Sequence, residues 1–202
     1  MYDIIIIGAG PGGYVAAERA GKLGKSVLIV EKEHLGGVCL NRGCIPTKTL
    51  LNSTKLYKQA KNSASFGVFT GDVSFSWEKA MSWKKEVVET QRNGVSFLLK
   101  ENNVEVLNGT ADLLEGKQVS VDGNIYEGEN VIISTGSSNF IPPVPGSDGV
   151  NVVTSDEILD LEELPESIAV IGGGVIGMEF ASLFSNLGIK VDVIEMMDER
   201  YR

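Results

Sequence analysis

Residues 8–31 read GAGPGGYVAAERAGKLGKSVLIVE. A run of isoleucines at residues 4–7 precedes them and has the composition of a strand buried in a parallel sheet. A helical pattern follows, and Gly24 is well placed to end that helix before a second strand at residues 27–31. Three of the glycines have the spacing Gly-x-Gly-x-x-Gly, namely Gly8, Gly10 and Gly13. The stretch therefore predicts a β-α-β unit of an α/β fold.

The same pattern occurs a second time in the chain. Residues 172–195 read GGGVIGMEFASLFSNLGIKVDVIE, align with the first copy without a gap, and also follow a β-branched run at residues 168–171. The positions identical in both copies are Gly8/Gly172, Gly10/Gly174, Gly13/Gly177, Ala17/Ala181, Leu23/Leu187, Gly24/Gly188, Val27/Val191 and Glu31/Glu195. The repeat predicts two Rossmann-like dinucleotide-binding units.

Each feature of such a unit has a physical reason. The first glycine permits a tight turn, the second lets backbone approach a pyrophosphate, and the third lets helix and strand pack closely. The phosphates lie at the helix N-terminus, where N–H groups and the dipole favour anions. Glu31 and Glu195 are placed to accept hydrogen bonds from a ribose. Glu195 would repel a 2′-phosphate and is followed by Met196 and Met197, so NAD is favoured over NADP, although Arg200 keeps NADP open.

Composition limits the class of protein. The chain has 202 residues, 43% of them hydrophobic, and a formal net charge of −9, which disfavours nucleic acid as a partner. No apolar run approaches the ~18 residues that span a bilayer. Asp3 precedes only a short apolar stretch, unlike a secretory signal. We therefore expect a cytoplasmic protein without a membrane segment.

The middle of the chain predicts helices at residues 53–61 and 75–100. The second of these is long and amphipathic, and its residues expected to pack inside are Trp77, Met81 and Trp83. A strand is predicted at residues 103–108.

A hairpin is predicted around Asp122-Gly123, because strand-like residues 119–121 and 124–126 flank that turn sequence. A further strand is predicted at residues 131–134. These strands indicate a small antiparallel β-meander beside the parallel sheet. The run Pro142-Pro143-x-Pro145-Gly146 resembles a linker, so we place a domain boundary near residue 149.

Cys39 and Cys44, the only cysteines, lie in GGVCLNRGCIPTK, shortly after the first glycine motif. A dithiol beside a nucleotide site suggests electrons passing between a bound cofactor and a disulfide. In an ideal helix, residues five apart are ~7.5 Å apart along the axis, so a bond needs an irregular turn, which Asn41 and Gly43 can supply. Metal binding and a pair of inert buried thiols remain alternatives, although two cysteines alone cannot complete a zinc site.

The run GGVCLNRGCIPTKTLL, taken with GAGPGGYVAAERAGKLG, resembles the redox motif of the flavin-dependent disulfide oxidoreductases, the pyridine nucleotide-disulfide oxidoreductase family. Within that family the sequence is most similar to the dihydrolipoyl dehydrogenase group, from Tyr2 to about residue 198. The resemblance implies the FAD/NAD(P)-binding fold with FAD and NAD as cofactors.

The resemblance implies FAD at the first unit, with the pyrophosphate at its three motif glycines and the adenosine ribose on Glu31. The other implied positions at the flavin nucleotide are Gly37, Gly109, Thr135, Gly136 and Ser137. Gly109 matches a backbone position beside the adenine, and residues 135–137 match a loop that closes over the nucleotide. Val38 stands where the family usually has a threonine, so a hydroxyl that can contact the nucleotide is missing.

The resemblance also implies four catalytic residues. Cys44 would be the charge-transfer thiol near the flavin, and Cys39 the interchange thiol that attacks the substrate disulfide. Lys48 would lie near the flavin ring, paired with Glu179, which occupies the repeat position held by Val15 in the first copy. The second unit would bind NAD through residues Gly172, Gly174, Gly177 and Glu195.

The implied domains are an FAD-binding domain at residues 1–149 and the start of an NAD-binding domain at residues 150–202. A dimerisation domain with a His–Glu acid/base pair would lie beyond Arg202, and His34, the single histidine, is expected at the surface. We therefore expect a fragment with little lipoamide turnover by itself.

The implied parent is a homodimer that oxidises dihydrolipoamide on lipoyl-bearing protein domains of 2-oxo acid dehydrogenase or glycine cleavage complexes. Three alternatives remain: a glutathione- or mercuric-type reductase, a non-catalytic nucleotide-binding redox module, and a structural disulfide protein.

Overall fold

The computed structural model describes residues 1–197 of the chain. These residues form two compact units, the first from residues 1–44 and 88–140 and the second from residues 45–87 and the described residues from 141 onward. This grouping places residues 45–87 with the second unit, so it divides the chain differently from the predicted domains. The domain limits at residues 149 and 150 stay a prediction.

The helices and strands follow one another along the chain as β1 (Tyr2–Ile7), α1 (Pro11–Lys22), β2 (Val27–Glu31), α2 (Gly37–Arg42), α3 (Cys44–Lys61), α4 (Trp77–Glu101), β3 (Val104–Asn108), β4 (Ala111–Leu113), β5 (Gln118–Val121), β6 (Asn124–Ile133), β7 (Ser167–Ile171), α5 (Val175–Asn186) and β8 (Lys190–Ile194). Short 3₁₀ helices lie at Ser63–Phe66, Glu115–Lys117 and Glu157–Asp160. Both predicted β-α-β units are present as predicted. The helix expected at residues 53–61 is the second half of α3, which begins earlier, at Cys44.

The first unit is built on a six-stranded sheet in the order β3-β2-β1-β6-β5-β4. The neighbours β3, β2, β1 and β6 are parallel, and β6, β5 and β4 form an antiparallel meander. Ile5 and Leu28, paired across β1 and β2, are both 0% exposed. Ile5, Ile6 and Ile7 of the isoleucine run are buried, and Ile4 is partly buried, as expected for a strand in the interior of the sheet. This arrangement confirms the predicted mixed α/β, Rossmann-like fold.

The predicted hairpin is present, since Asp122 and Gly123 join β5 to β6 with φ of 48° and 86°. Two positive φ values are what a tight two-residue hairpin requires. The strand predicted separately at residues 131–134 is instead the second half of the ten-residue β6. The first half of β6 pairs with β5, and its second half pairs with β1. A single strand therefore joins the meander to the parallel sheet.

The second unit contains the parallel pair β7 and β8 and a buried apolar cluster. The members of the cluster are Leu50, Trp77, Ala80, Met81, Ile158, Leu159, Phe180, Leu183 and Phe184. Trp77 and Met81 pack inside as predicted, but the prediction for Trp83 was wrong, because its side chain is 53% exposed. Trp83 is two residues beyond Met81, a rotation of about 200° around the helix, so it lies on the opposite face.

No helix in residues 1–197 combines the length and the apolar composition that crossing a bilayer requires.

Candidate functional site

The first glycine turn lies where β1 ends, and its backbone leaves no room for a side chain. Gly8 has a φ of +98°, and a Cβ there would lie 2.2 Å from the carbonyl oxygen of Ser134. Its N–H donates to the carbonyl of Val30 at 2.8 Å. Glycine is required at this position because β1, β2 and the end of β6 converge on it.

The N-terminus of α1 continues from this turn. Gly10 is the N-cap and Pro11 the first helical residue, and no described side chain caps the helix. A Cβ on Gly13 would lie 1.9 Å from the Gly8 carbonyl oxygen, so the helix approaches the strand end closely. Uncapped N–H groups at a helix N-terminus suit an anion, which supports the predicted pyrophosphate position.

Glu31, predicted to bind a ribose, supports the glycine turn directly. Its Oε2 accepts from the Ala9 N–H at 2.8 Å, and its Oε1 accepts from the Glu33 N–H at 2.9 Å. A carboxylate has about four acceptor positions, so two remain for a ligand. The ribose contact stays a prediction.

The other predicted nucleotide positions of the first unit lie at the same edge of the sheet. The N–H of Gly109, just after β3, donates to the Glu31 carbonyl at 2.9 Å. The N–H of Ser134, just after β6, donates to the Ile7 carbonyl at 2.8 Å, and residues 135–137 continue from there. Ligands of parallel α/β sheets bind at the carboxyl ends of the strands. The structure thus brings these predicted residues to one edge.

The second glycine turn repeats the geometry of the first. Gly172 has a φ of +107°, Gly174 is the N-cap of α5, and a Cβ on Gly177 would lie 2.3 Å from the Gly172 carbonyl oxygen. Glu195 accepts from the backbone N–H groups of Met197 at 2.9 Å and Gly173 at 2.7 Å. The two backbone donors hold the pKa of the Glu195 carboxyl below its usual range. Arg200, which kept NADP open, lies outside the described residues.

The segment that carries the cysteines packs against the first glycine turn. Gly37, the first residue of α2, has a φ of +63°, and a Cβ there would lie 2.5 Å from the Cα of Gly10. The N–H of Gly36 also donates to the Ala9 carbonyl at 2.9 Å. Cys39 follows two residues later, so the dithiol segment begins beside the predicted phosphate position.

The helical path breaks between the cysteines, as the sequence predicts. α2 ends before Gly43 and α3 begins at Cys44; a Cβ on Gly43 would lie 2.9 Å from the Val38 carbonyl oxygen and 3.1 Å from the Cys39 Cα. Asn41, also expected at the irregular turn, is instead helical within α2. Cys39 is half-buried and Cys44 is exposed.

The interchange and flavin-side roles of the cysteines stay predictions. Among residues 1–197, no three His, Cys, Asp or Glu side chains are grouped as metal ligands would be.

Lys48 and Glu179 meet within the second unit. The Lys48 ammonium donates to Glu179 Oε1, joining α3 to α5. The Lys48 side chain is 60% exposed and that of Glu179 is 24% exposed. Val15, which holds the position of Glu179 in the first copy, is 49% exposed. His34 is exposed, as expected. The expected pairing is therefore present, while the catalytic roles of both side chains stay predictions.

Sequence reasoning missed Arg92. Its guanidinium donates from Nε and Nη2 to Asn41 Oδ1, at 3.0 and 2.8 Å, and so bonds α4 to the helix that carries Cys39. No local signal could have identified this contact, because the two residues are far apart in the chain and belong to separate helices.

Comparisons with known proteins agree with this geometry. The sequence model of the family described as pyridine nucleotide-disulphide oxidoreductase matches residues 2–202. A dihydrolipoyl dehydrogenase of Acholeplasma laidlawii is 52% identical over 203 residues, which cover 98% of this chain and 60% of that protein. A dihydrolipoyl dehydrogenase of Bacillus subtilis (strain 168) is 45% identical over 210 residues, which cover 98% of this chain and 44% of that protein. The chain thus spans less than two thirds of the length of these relatives.

A solved structure is also similar. The HOCl-induced flavoprotein disulfide reductase RclA from Escherichia coli matches with a TM-score of 0.85 and 33% identity, over 98% of this chain and 43% of that one. FAD and NAD(P) are the cofactors of the family that these matches define. The chain belongs to the pyridine nucleotide-disulphide oxidoreductase family.

Proposed function

We propose that these residues serve an FAD-dependent oxidation of protein-bound dihydrolipoamide, with reduction of NAD⁺ to NADH. The observation that carries the proposal is the approach of Gly37 to Gly10, where a Cβ on Gly37 would lie 2.5 Å from the Gly10 Cα. This contact starts the dithiol segment beside the N-terminus of α1. A redox-active thiol pair and a dinucleotide then share one compact unit.

The first unit fits FAD on its own geometry. One edge of its sheet carries the glycine turn, the N-terminus of α1 and the carboxyl ends of β2, β3 and β6. This edge offers backbone N–H donors and the Glu31 carboxylate to a nucleotide. FAD, when bound, supplies the two-electron chemistry that links a dithiol to a nicotinamide. The motif glycines and the N-terminus of α1 would hold the pyrophosphate, and Glu31 would hold the ribose.

The thiols of the chain exchange with the substrate. A thiolate of dihydrolipoamide attacks the Cys39 sulfur of a Cys39–Cys44 disulfide, and the Cys44 thiolate leaves. The second substrate thiol then attacks the sulfur bonded to Cys39, which closes the lipoamide disulfide and releases the Cys39 thiol. The substrate loses two electrons and two protons, and the cysteine pair gains the two electrons. Half-buried Cys39 and exposed Cys44 flank the break at Gly43 that allows the pair to close.

The second unit would bind NAD. Gly172, Gly174 and Gly177 form its turn, and the Glu195 carboxylate disfavours the 2′-phosphate of NADP. Lys48 and Glu179 are proposed as the polar pair near the flavin ring and the nicotinamide. The proposed setting is the cytoplasm, and the proposed partners are lipoyl-bearing domains of 2-oxo acid dehydrogenase or glycine cleavage complexes, with the whole protein a homodimer.

Flavin bleaching tests this proposal. The FAD-loaded chain is titrated without oxygen with NADH, NADPH and dihydrolipoamide while visible flavin absorbance is followed. NADH and dihydrolipoamide should bleach the flavin, and NADPH should not. Replacing Cys39 or Cys44 by serine should preserve bleaching by NADH and abolish bleaching by dihydrolipoamide, so the NADH arm is the internal control.

Two results would count against the proposal: no FAD binding, or unchanged bleaching by dihydrolipoamide in both serine variants. Reduction by NADH, with thiol-dependent transfer to glutathione disulfide or another disulfide but not to lipoamide, would favour the related reductase activity that the RclA similarity suggests. We also propose slow steady-state lipoamide turnover by the chain alone, because its single histidine, His34, is exposed in the loop after β2. Fast turnover by protein whose intact mass matches 202 residues would contradict this.

A further inference from the structure

The helix that carries Cys39 is too short to be stable without support. α2 has six residues, no acidic residue in its first turn and no side-chain cap among the described residues. Isolated helices shorter than ~12–15 residues are marginal in water. Contacts from outside α2 must therefore hold Cys39 in place.

Asn41 contacts two residues outside α2, Leu35 and Arg92, and uses every hydrogen-bonding position of its carboxamide. Its Nδ2 donates to the carbonyls of Leu35 at 3.0 Å and Gly37 at 2.9 Å. Its Oδ1 accepts from Nε and Nη2 of Arg92 at 3.0 and 2.8 Å. An asparagine amide offers two donors and two acceptor lone pairs, so none is left over.

Arg92 bonds the Asn41 amide to a long helix. It lies in the 25-residue helix α4, and both Asn41 and this part of α4 belong to the first compact unit. The planar guanidinium places two donors on one oxygen, and a charged donor makes stronger hydrogen bonds than a neutral one. α2 is thus bonded both to the loop before it and to a long helix.

We propose that Asn41 and Arg92 are positioning residues that hold Cys39 where it forms a disulfide with Cys44. The inference rests on the proposed thiol–disulfide function. Asn41 lies between the two cysteines in sequence, on the last turn of α2 before the break at Gly43. Release of that turn gives the Cys39 thiol more positions away from Cys44, which lowers its effective concentration there. Loss of this restraint therefore destabilises the disulfide form, which requires a fixed geometry of the two sulfurs, more than the dithiol form, which does not.

Two substitutions test the proposal in the full 202-residue chain. Asn41→Asp keeps an oxygen for Arg92 but replaces the donor group that faces the Leu35 and Gly37 carbonyls. Arg92→Lys keeps the charge but loses the forked donor pair. The dithiol–disulfide equilibrium is measured against glutathione buffers by counting alkylated thiols by mass. Each variant should form the disulfide about tenfold less favourably, a rise in reduction potential of about 30 mV for two electrons.

A matched control is Asn62→Asp. The Asn62 amide also donates to a carbonyl four residues earlier, that of Lys58, at 2.9 Å, but it lies in an exposed segment after α3. This variant should keep the wild-type equilibrium.

Thermal unfolding of the oxidised and reduced forms provides the second readout. A positioning role destabilises the disulfide form more than the dithiol form, whereas a merely structural role lowers both equally and leaves the potential unchanged. An unchanged equilibrium in both Asn41→Asp and Arg92→Lys overturns the positioning role while the proposed function stands. A wild-type chain that forms no Cys39–Cys44 disulfide instead refutes the proposed function. Should Asn41→Asp fail to fold, the milder Arg92→Lys variant decides the question by itself.

Discussion

Replacing Gly13 by alanine should separate the cost of a collision from the ordinary effect of a glycine in a helix. A Cβ on Gly13 would lie 1.9 Å from the Gly8 carbonyl oxygen and 3.0 Å from its carbon. Both partners are backbone atoms, so α1 must move away from the end of β1 by more than about 1 Å to restore an ordinary contact. Gly94, in the middle of α4 and in the same compact unit, has nothing within 4 Å of its Cβ position.

The two substitutions should change stability in opposite directions. Overpacking costs about 1–3 kcal/mol, and replacing a helical glycine by alanine gains about 0.5–1 kcal/mol. The free energy of unfolding should therefore fall by up to about 2.5 kcal/mol in Gly13→Ala and rise by about 0.5–1 kcal/mol in Gly94→Ala. Urea unfolding followed by far-ultraviolet circular dichroism, without FAD, measures both changes.

Flavin binding adds a second readout. Displacing the N-terminus of α1 moves the N–H groups proposed to hold the pyrophosphate, so Gly13→Ala should also weaken FAD binding in a fluorescence titration, while Gly94→Ala should not. Equal stability of the two variants, or a stabilised Gly13→Ala, would refute the reasoning from backbone contact.

Three further predictions concern the second unit, whose unfolding is followed by tryptophan fluorescence or circular dichroism. Trp77→Ala should destabilise it by about 3–5 kcal/mol, whereas Trp83→Ala should change stability by less than about 0.5 kcal/mol; similar losses would contradict the assigned helix face. Lys84 is 5% exposed, and its ammonium donates to the Leu159 carbonyl. Lys84→Met leaves that carbonyl without this donor, so stability should fall by about 1–3 kcal/mol, and an unchanged urea midpoint would argue against that bond. Backbone hydrogen bonds depress the pKa of Glu195, so its ionised carboxylate stabilises the fold above about pH 4.5. This stabilisation is lost as the pH falls through the folded-state pKa. Glu195→Gln should therefore reduce the loss of stability between pH 7 and 3, and an equally steep loss would oppose this assignment.

Local rules made much of the fold accessible from the sequence. The two glycine turns, the helix ends at Gly24 and Gly188, and the Asp122-Gly123 hairpin all depend on the backbone conformation of a few neighbouring residues. The structure gives positive φ at each of these helix ends and at the hairpin. The side-chain period of α4 was also available from sequence, and applying it strictly would have placed Trp83 on the exposed face opposite Met81.

The amino-acid order alone therefore determined that the chain has two β-α-β units of the dinucleotide-binding kind. It also determined that a glycine breaks the helical path between the two cysteines. Tertiary structure decided which distant residues meet: β6 beside β1, Gly37 against Gly10, Lys48 with Glu179, and Arg92 on Asn41. The physical reason is that a turn or a helix end is fixed by the dihedral angles of adjacent residues, whereas each of these contacts exists only after chain segments far apart in sequence have packed together.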